Sequence, residues 1–572
     1  MDVSDLYRDT PLPYHSVCHV FSAALLAGTP TSDRTILAFA VDGGPDFDLD
    51  VRRFDNWYAG AVFRGDTVEM FPIESPAPLY HVAAERYGME EGTLMALAGA
   101  STANADATGL TDEVHRTVRF RGRPAYGDAE AILDELDGLV RKQLLATTPD
   151  TGPALSDELL VISAAMKHVQ DMSEAVMRRN VDNALTEHRL RPRETELALA
   201  GGYALNCPTN SHLMNRYGFH RLLAPPCVND SGQSLGIALA TIAARTDRFQ
   251  FRFPGAYAGD PDLQLGDALD EYADHIADVR QADPHQVVSD LAQGPIAWAD
   301  GAAELGPRAL GNRSLLAAPG NQAAKDRLNQ VKGRQPWRPV APVILAERVG
   351  EWFHDARESP YMLETFLGTA KTRQAAPAVL HLDGSARVQT VSADQNPRLH
   401  TVLTQVEAAT GVPILCNTSL NDKGEPIVQN ASQALNFCLR KGVSVAYVSG
   451  VRLELDGTDY GADMPARRPL ADMAAPTEDS AALRARLNPH GLDELYLNLW
   501  LRVPELKTGF DPANAAHLPA LKRAAEEWLR VYPCTLSWWG TGFAGRAAYL
   551  DKLDGQGFAL GIGRPWTTTP SS

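Results

Sequence analysis

Two histidines, His15 and His19, lie four residues apart in the stretch HSVCHVFSAALLAG. The helical spacing of its apolar residues predicts a helix with both imidazoles on one face. Asp42 ends RTILAFAVDG, a predicted buried strand, and Asp230 stands in PPCVNDSGQSLG, where a loop meets a predicted helix. Such a set suits a divalent transition metal, with Fe²⁺ as the first choice and Mn²⁺ or Zn²⁺ as alternatives, over Mg²⁺. Alternatively, the two histidines could lie on an ordinary helix surface and each aspartate in an ordinary turn, with no metal bound.

The second group of candidate residues is mainly basic and lies between residues 308 and 423. Arg308 and Arg313 stand in ELGPRALGNRS, a loop framed by glycine and proline with no Walker-type lysine after it. The other members are Lys332, Arg334 and Arg338 in VKGRQPWRPV, Arg387 in DGSARVQTV, and Asn417, Ser419, Asn421 and Lys423 in NTSLNDK. Because guanidinium groups bind phosphate through paired hydrogen bonds, the set predicts a site for polyanionic substrates. Each arginine alone could equally form a surface ion pair.

Glycines mark a third candidate region. GGYALN places Gly201 and Gly202 after a predicted strand, with Asn206 at the end of the turn, and Gly232 follows Asp230 closely. Glycine lets a backbone approach a phosphate, and a helix N-terminus favours an anion. The region is therefore a candidate for nucleotide contact, although a glycine turn needs no ligand.

The composition is that of an acidic globular protein. The chain has 572 residues, a formal net charge of -18 and 44% hydrophobic residues. This charge argues against nucleic acid as a partner, because a phosphate backbone requires a basic face. The six cysteines show no paired spacing, which predicts a reducing cytoplasm. No apolar run reaches ~18 residues and the first residues are polar, so we expect no signal peptide and no membrane span.

Strands and helices alternate along the first part of the chain. AGAVFRGDTVEMFP predicts a hairpin that turns at Gly65 and Asp66, and TELALA predicts a strand. Helices are expected from Ser156 to Glu187, over GQSLGIALATIAAR, and in the histidine stretch, where Gly28 would follow the helix end. This alternation predicts an α/β fold with a largely parallel sheet.

Glycine and proline in RFQFRFPGAYAGDPD interrupt the pattern and predict a domain boundary. We expect one domain over residues 1–250, a second α/β domain over 262–456, and a linker with a helical extension over 457–572. Apolar and aromatic residues return from Leu483 onwards, so this extension should pack.

These motifs together resemble the nodulation-type O-carbamoyltransferase family. The matching blocks are HSVCH, VDG, GTLMALAG, GGYALN, NDSGQSLGIAL, ELGPRALGNRS, VKGRQPWRPVAPVI, DGSARVQTV and NTSLNDKGEPIV, from about Tyr14 to Leu455. They stand in the family's order. The resemblance implies an actin-like (ASKHA) domain, N-terminally short here, followed by a domain similar to the threonylcarbamoyl-adenylate synthases.

The resemblance also implies the chemistry. The second domain would make carbamoyl adenylate from carbamoyl phosphate and ATP, with Mg²⁺ accompanying ATP, and the first would transfer the carbamoyl group to a hydroxyl of a secondary metabolite. Family substrates include aminoglycosides, cephems, aminocoumarins and polyketide macrocycles. The metal ligands would be His15, His19, Asp42 and Asp230. Arg308, Lys332, Arg338 and Arg387 would be catalytic, and Arg313, Asn417, Ser419 and Lys423 would also bind carbamoyl phosphate or ATP. Gly201, Gly202, Asn206 and Gly232 would bind carbamoyl adenylate.

The chain departs from the family pattern at three places. The hairpin that normally precedes the histidine helix is missing, so either the start lies upstream or the first subdomain is incomplete. Thr93 replaces a lysine, and the region after Leu455 matches nothing assigned. An inactive or regulatory relative and a tRNA threonylcarbamoylation protein are the alternative functions, the latter disfavoured by the acidic charge. The general base stays unassigned, and the oligomeric state stays open, with a homodimer as one alternative.

Overall fold

A computed structural model of the protein describes residues 12–26, 34–44, 56–65, 67–122, 124–144, 155–245, 251, 253–461, 485–486, 488–493, 496–497, 499–500 and 503–531. The expected helix end at Gly28, the hairpin residue Asp66 and the tail after residue 531 lie outside these ranges. The described residues form a mixed α/β structure with two large sheets, which confirms the predicted α/β class. The predicted domain limits are not tested by it and stay a prediction.

The first sheet has five strands in the order β3-β2-β1-β4-β5. Their bounds are β1 (Thr35–Ala40), β2 (Tyr58–Arg64), β3 (Thr67–Ile73), β4 (Thr195–Ala200) and β5 (Leu222–Leu223). β1 and β4 are buried along nearly their whole length, and their side chains alternate between the two faces of the sheet. Leu37 and Phe39 enter one core, whereas Ile36 and Ala38 enter another, because successive residues of a strand point in opposite directions.

Among the described residues, eight helices accompany this sheet. They are α1 (Tyr14–Leu25), α2 (Ala77–Tyr87), α3 (Glu91–Ala98), α4 (Thr108–Thr117), α5 (Pro124–Leu144), α6 (Asp157–Glu187), α7 (Cys207–Tyr217) and α8 (Gln233–Ala243). Residues of α2 to α7 contribute to the larger core, and α1 and α8 contribute to the core on the opposite face. The helix predicted from Ser156 to Glu187 is present as α6, and the Ser156 side chain caps its N-terminus. The sheet therefore lies between two helical layers.

The second large sheet has eight strands in the order β12-β9-β13-β8-β7-β14-β15-β6. The strands of this half are β6 (Ile276–Gln281), β7 (Ile296–Ala299), β8 (Arg313–Ala317), β9 (Ala341–Leu345), β10 (Thr365–Leu367), β11 (Ser385–Arg387), β12 (Gln389–Val391), β13 (Ile414–Ser419), β14 (Val445–Val448) and β15 (Val451–Leu455), of which β10 and β11 pair separately. Its helices are α9 (Leu265–Glu271), α10 (Pro284–Gln293), α11 (Gln322–Val331), α12 (Val349–Trp352), α13 (Ala370–Ala375), α14 (Pro397–Thr410) and α15 (Ala431–Lys441). Buried clusters cover both faces.

Both large sheets mix parallel and antiparallel pairs, so the expectation of a largely parallel sheet is wrong. Very short connections explain the difference. β14 and β15 are joined only by Ser449 and Gly450, both with positive φ, which is the geometry of a two-residue hairpin turn. A parallel return requires a crossover of a dozen or more residues. The predicted hairpin at Gly65 is present, with Arg64 opposite Thr67.

Beyond residue 461 the described residues include α16 (Pro504–Gly509) and α17 (Leu518–Val531). Tyr496, Leu499, Val503 and Leu521 form a small buried cluster, as expected from the returning apolar pattern. Among the described residues, no helix combines the length and the apolar character that a membrane crossing requires.

The two halves of the chain pack tightly against each other. The Asn210 side chain donates to the carbonyl of Leu363 at 2.8 Å, and Ser211 Oγ accepts from the backbone N–H of Thr365 at 2.8 Å. Gly306 has a φ of 88°, and a Cβ on it would lie 2.0 Å from the carbonyl oxygen of Pro226. Only glycine fits this position, so the basic loop of the second half is pressed onto the segment that leads to Asp230.

This contact predicts that Gly306→Ala destabilises the protein. The added Cβ clashes with backbone and occupies a strained conformation, so we expect the free energy of unfolding to fall by about 2–4 kcal/mol. Gly411→Ala is the matched control, because Gly411 has a φ of 73° but nothing lies within 4 Å of an added Cβ. It should cost about 1–2 kcal/mol from strain alone. Denaturant unfolding measures both, and equal losses would contradict the tight contact.

Candidate functional site

The four candidate metal ligands come together at one end of the first sheet. α1 carries His15 and His19 and packs against α8, where Gly236 permits an approach so close that a Cβ would meet the carbonyl oxygen of Cys18 at 2.3 Å. Asp42 follows β1, and its Oδ1 accepts a hydrogen bond from the Gly202 N–H at 2.7 Å. The strand end and the helix face therefore position these side chains independently of any bound ion.

The distances within this cluster suit a shared cation. His15 Nε2 lies 3.1 Å from Asp42 Oδ2, and His19 Nε2 lies 3.3 Å from Asp230 Oδ1. One ligand atom from each of the four residues lies within 4.8 Å of the others. His19 is fully buried, and within the described residues neither of its ring nitrogens makes a hydrogen bond. Two imidazoles and two carboxylates are a donor set that divalent transition metals accept, so the residues present fit the predicted metal.

Electrostatics keep Asp42 ionised. Burial by itself would raise the pKa of Asp42, but the hydrogen bond with His15 and the charges of His19 and His15 hold it well below its usual value. The Gly202 N–H acts in the same direction. A carboxylate that stays charged at all physiological pH values is the form that binds a cation.

The candidate glycines have demonstrable packing roles. Gly201 has a φ of 97°, and its Cβ would lie 2.3 Å from the Val41 carbonyl oxygen. A Cβ on Gly232 would lie 2.2 Å from the Cys227 carbonyl oxygen. Asn206 caps α7, since its Oδ1 accepts from the Thr209 N–H. These contacts account for the residue types without a ligand, and carbamoyl adenylate binding by this region stays a prediction.

Three predicted arginines, Arg308, Arg338 and Arg387, lie close enough together for their charges to interact. The Nε atoms of Arg308 and Arg387 are buried, and among the described residues they have no hydrogen-bond partner. The neighbouring charge of Arg387 is the largest cause that lowers the pKa of Arg308 to about 9, followed by burial and by Arg338. Burial, opposed by Glu90, lowers the pKa of Arg338, and Arg387 lowers it further. An anion between these groups would relieve their mutual repulsion.

Two of these arginines, Arg338 and Arg387, border a cleft of about 460 Å³ between the two halves of the chain. The second half contributes Arg334, Arg338, His381 and Arg387, and the first half contributes Lys167 and Cys207. Burial, with Arg338 and Arg387, lowers the pKa of Arg334 to about 9. The cleft thus has the size and the positive wall that a polyanionic small molecule requires.

Arg313 is placed differently from the other predicted arginines. Its side chain is fully buried, and its guanidinium donates to the backbone carbonyls of Asp300, Gly301, Asn312 and Gln429. These hydrogen bonds fix the basic loop from within, because Arg313 begins β8 and points into the protein. We therefore exclude Arg313 from the substrate-binding residues that the sequence suggested.

The remaining predicted residues surround the turn after β13. Lys332 Nζ donates to Ser419 Oγ at 3.2 Å and to Asn421 Oδ1 at 2.6 Å, and burial lowers the pKa of Lys332 to about 7. Asn417 is buried, and its Oδ1 has no hydrogen-bond partner among the described residues. Lys423 is exposed at the tip of the turn. Lys332 thus stabilises the turn, and Lys423 lies outside the cleft lining.

Sequence reasoning missed three residues of the cleft wall. Lys167 lies on α6, Cys207 begins α7, and His381 stands six residues before Arg387 in HLDGSAR. The histidine had a local signal, since it precedes a block already assigned to phosphate binding. Lys167 and Cys207 had no such signal in the sequence, because they line the cleft only as a result of the packing between the two halves.

Comparison with known proteins identifies the family. The carbamoyltransferase N-terminus family model matches residues 90–239, and the carbamoyltransferase C-terminus model matches residues 288–454. Nodulation protein NolO of Bradyrhizobium diazoefficiens is 32% identical over 501 residues, which are 83% of this chain and 82% of that protein. The chain belongs to the carbamoyltransferase family.

Other family members match over a shorter region. The 3'-hydroxymethylcephem-O-carbamoyltransferase of Amycolatopsis lactamdurans is 38% identical over 261 residues, 44% of this chain and 48% of that protein. Nodulation protein U of Bradyrhizobium diazoefficiens is 37% identical over 265 residues, 46% of this chain and 45% of that protein. The match thus spans about half the length of each of these two relatives. The resemblance inferred from the sequence blocks is confirmed.

The ligand cluster predicts that this carbamoyltransferase-family chain binds about one transition-metal ion, because imidazole and carboxylate together favour such ions. Protein purified without chelator should contain the metal, and a His15→Ala/His19→Ala double variant should have lost it. Elemental analysis measures the content. His285→Ala/His354→Ala is the matched control, since it removes two histidines outside the cluster. Equal metal content in wild type and the first variant would show that the ion, if present, binds elsewhere.

The lowered pKa of Lys332 predicts proton uptake if ATP binds beside this residue, as the family resemblance implies. With a pKa of about 7, Lys332 is mostly neutral at pH 8, and a nearby polyanion raises this pKa and recruits a proton. Calorimetric titration with ATP in two buffers of different ionisation enthalpy should show roughly one proton taken up per chain at pH 8 and little at pH 6. Lys332→Met should abolish the uptake, and the control Lys371→Met should retain it. Equal uptake in both variants would contradict the assignment.

Proposed function

We propose that this protein is an ATP-dependent O-carbamoyltransferase. It makes carbamoyl adenylate from carbamoyl phosphate and ATP and transfers the carbamoyl group to a hydroxyl of an antibiotic-type secondary metabolite. The observation that carries the proposal is the basic wall of the cleft between the halves, to which Arg334, Arg338 and Arg387 contribute, with Arg308 near enough to Arg387 and Arg338 for their charges to lower its pKa. Membership of the carbamoyltransferase family supports it, and the name of the cephem relative supports a small-molecule hydroxyl as acceptor.

Adenylation is the step that the arginines serve. The oxygen of carbamate attacks the α-phosphorus of ATP, and the bond to the departing pyrophosphate breaks. Arg308, Arg338 and Arg387 hold the phosphate groups and stabilise the charge that develops on them. Because these guanidinium groups are fixed before substrate binds, little reorganisation is required. Mg²⁺ accompanies ATP, and Arg313 contributes by holding the loop that carries Arg308.

Closure between the halves is the second requirement, because carbamate and its adenylate react readily with water. The cleft has walls from both halves, and the contacts of α7 with residues 363–365 bring these walls together. A site of this kind keeps the intermediate away from bulk solvent while it moves towards the acceptor.

Carbamoyl transfer is assigned to the ligand cluster of the first half. His15, His19, Asp42 and Asp230 would hold a divalent transition metal, Fe²⁺ first and Mn²⁺ or Zn²⁺ as alternatives, which supplies Lewis-acid activation of the carbamoyl group. The Gly202 N–H orients Asp42, and burial fixes His19. Gly202 and Gly232 lie beside this cluster, where a nucleotide phosphate can approach the backbone. We further infer an actin-like first domain and a synthase-like second domain.

The two half-reactions should be separable by mutation. Arg387→Ala should reduce pyrophosphate release from ATP plus carbamoyl phosphate about 30- to 1000-fold, since a phosphate contact in a closed site contributes about 2–4 kcal/mol. His19→Ala should retain pyrophosphate release and lose the carbamoylated product, followed by mass spectrometry on a panel of cephem, aminoglycoside, aminocoumarin and macrocyclic alcohols.

Arg348→Ala is the control for the arginine, because Arg348 pairs with Glu407 and Glu351 away from the cleft lining. It should change neither rate. Near-normal pyrophosphate release by a folded Arg387→Ala protein would overturn the adenylation site. Parallel loss of both rates in His19→Ala would show that the ligand cluster is not confined to transfer.

A further inference from the structure

His381 is a cleft residue that neither the family blocks nor the proposed arginine contacts use. It stands in the turn that precedes β11, and it borders the cleft together with Arg387. The turn is rigid: the His381 N–H donates to the Ser385 carbonyl at 2.8 Å, and the Gly384 N–H donates to the His381 carbonyl at 3.0 Å. Gly384 has a φ of 81°, which glycine adopts without strain. The imidazole is therefore held at a fixed place on the positive wall.

The two ring nitrogens of His381 have different surroundings. Nδ1 lies 3.2 Å from Ser385 Oγ, a hydrogen bond that fixes the orientation of the ring. Within the described residues, Nε2 makes no hydrogen bond, although the ring borders the cleft. When Nδ1–H donates to Ser385 Oγ, the lone pair on Nε2 is free to accept a proton. A ring anchored through one nitrogen, with the other open, is the arrangement of a general base.

The charges around His381 keep the imidazole neutral before substrate binds. Burial lowers its pKa to about 4; Asp383 opposes this shift, and Arg387 and Lys325 add to it. The imidazole is thus a proton acceptor at neutral pH, and a bound dianionic phosphate would offset the arginine charges and make it a stronger base. The charged and titratable groups of the cleft across from it are Arg334, Arg338, Lys167, Asp171 and Cys207.

We propose that His381 carries the proton in the cleavage of carbamoyl phosphate to carbamate. The oxygen of water bonds to the carbamoyl carbon, and the bond from that carbon to the phosphate oxygen breaks. The proton of the water passes to His381 Nε2 and from there to the departing phosphate, which leaves as hydrogen phosphate. Carbamic acid remains, and it loses its proton to become the carbamate that attacks ATP. Ser385 is a positioning residue, because it acts only through Nδ1.

This role of His381 rests on the proposed function. Added carbamate provides a test, because it bypasses the cleavage of carbamoyl phosphate. His381→Gln should reduce phosphate release from carbamoyl phosphate about 100- to 10,000-fold, the usual contribution of a general base. When ammonium carbamate replaces carbamoyl phosphate, the same variant should release pyrophosphate from ATP within about threefold of the wild-type rate, because the lost step is no longer needed.

Further variants separate chemistry from folding. Imidazole added to His381→Ala should restore part of the phosphate release, and Ser385→Ala should show a smaller loss than His381→Gln. His354→Gln is the matched control, since His354 is exposed and lies outside the cleft lining, and it should behave as wild type.

Two results would overturn the role of His381. One is phosphate release by His381→Gln at the wild-type rate. The other is equal loss of the carbamate-driven reaction, which would mark a structural or binding role. Failure of the proposed function would give a different result. The wild-type protein would then release phosphate from carbamoyl phosphate but would release no pyrophosphate from ATP with either carbamoyl phosphate or carbamate. Phosphate release would still test the role of His381.

Discussion

Repulsion among half-buried guanidinium groups is the constraint around which this molecule is arranged. The charges of Arg387 and Arg338 lower the pKa of Arg308, and burial together with the charge of Arg387 lowers the pKa of Arg338. Isolated like charges would separate into solvent. The packing of the two halves prevents this separation, since Gly306 is in close contact with Pro226 and α7 forms hydrogen bonds with residues 363–365. The fold therefore maintains a site whose unfavourable charge is relieved when a polyanion binds.

The ligand cluster and the arginine cleft share their supporting elements. The connection from β4 to α7 holds Asp42 through the Gly202 N–H at one end and places Cys207 in the cleft at the other. The segment from Pro226 to Gly232 carries Asp230 and touches the loop of Arg308. Two short backbone segments thus connect both sites.

Arg308 and Arg313 show how far the sequence could predict the site. Both stand in one stretch of sequence that matches a phosphate-binding pattern. Arg313, however, begins β8, and its guanidinium donates hydrogen bonds to backbone carbonyls. The inward position of Arg313 depends on the pairing of β8 with its two neighbouring strands, which the local sequence pattern does not reveal. Lys167 and Cys207 became candidates only through the arrangement of elements distant in sequence, whereas His381 precedes a block already assigned to phosphate binding.

By itself, the sequence determined the α/β class, the histidine helix, the hairpin at Gly65 and the long helix after Ser156, the family, and the residue types of both clusters. These follow from local periodicity and chemistry, as in the long helix over Asp157–Glu187. Only the tertiary structure decided the mixed strand directions, the internal role of Arg313 and the cleft wall to which Lys167 contributes. The physical reason is that local pattern sets conformation and exposed faces, whereas pairing between distant segments depends on turn lengths and on how the two halves pack.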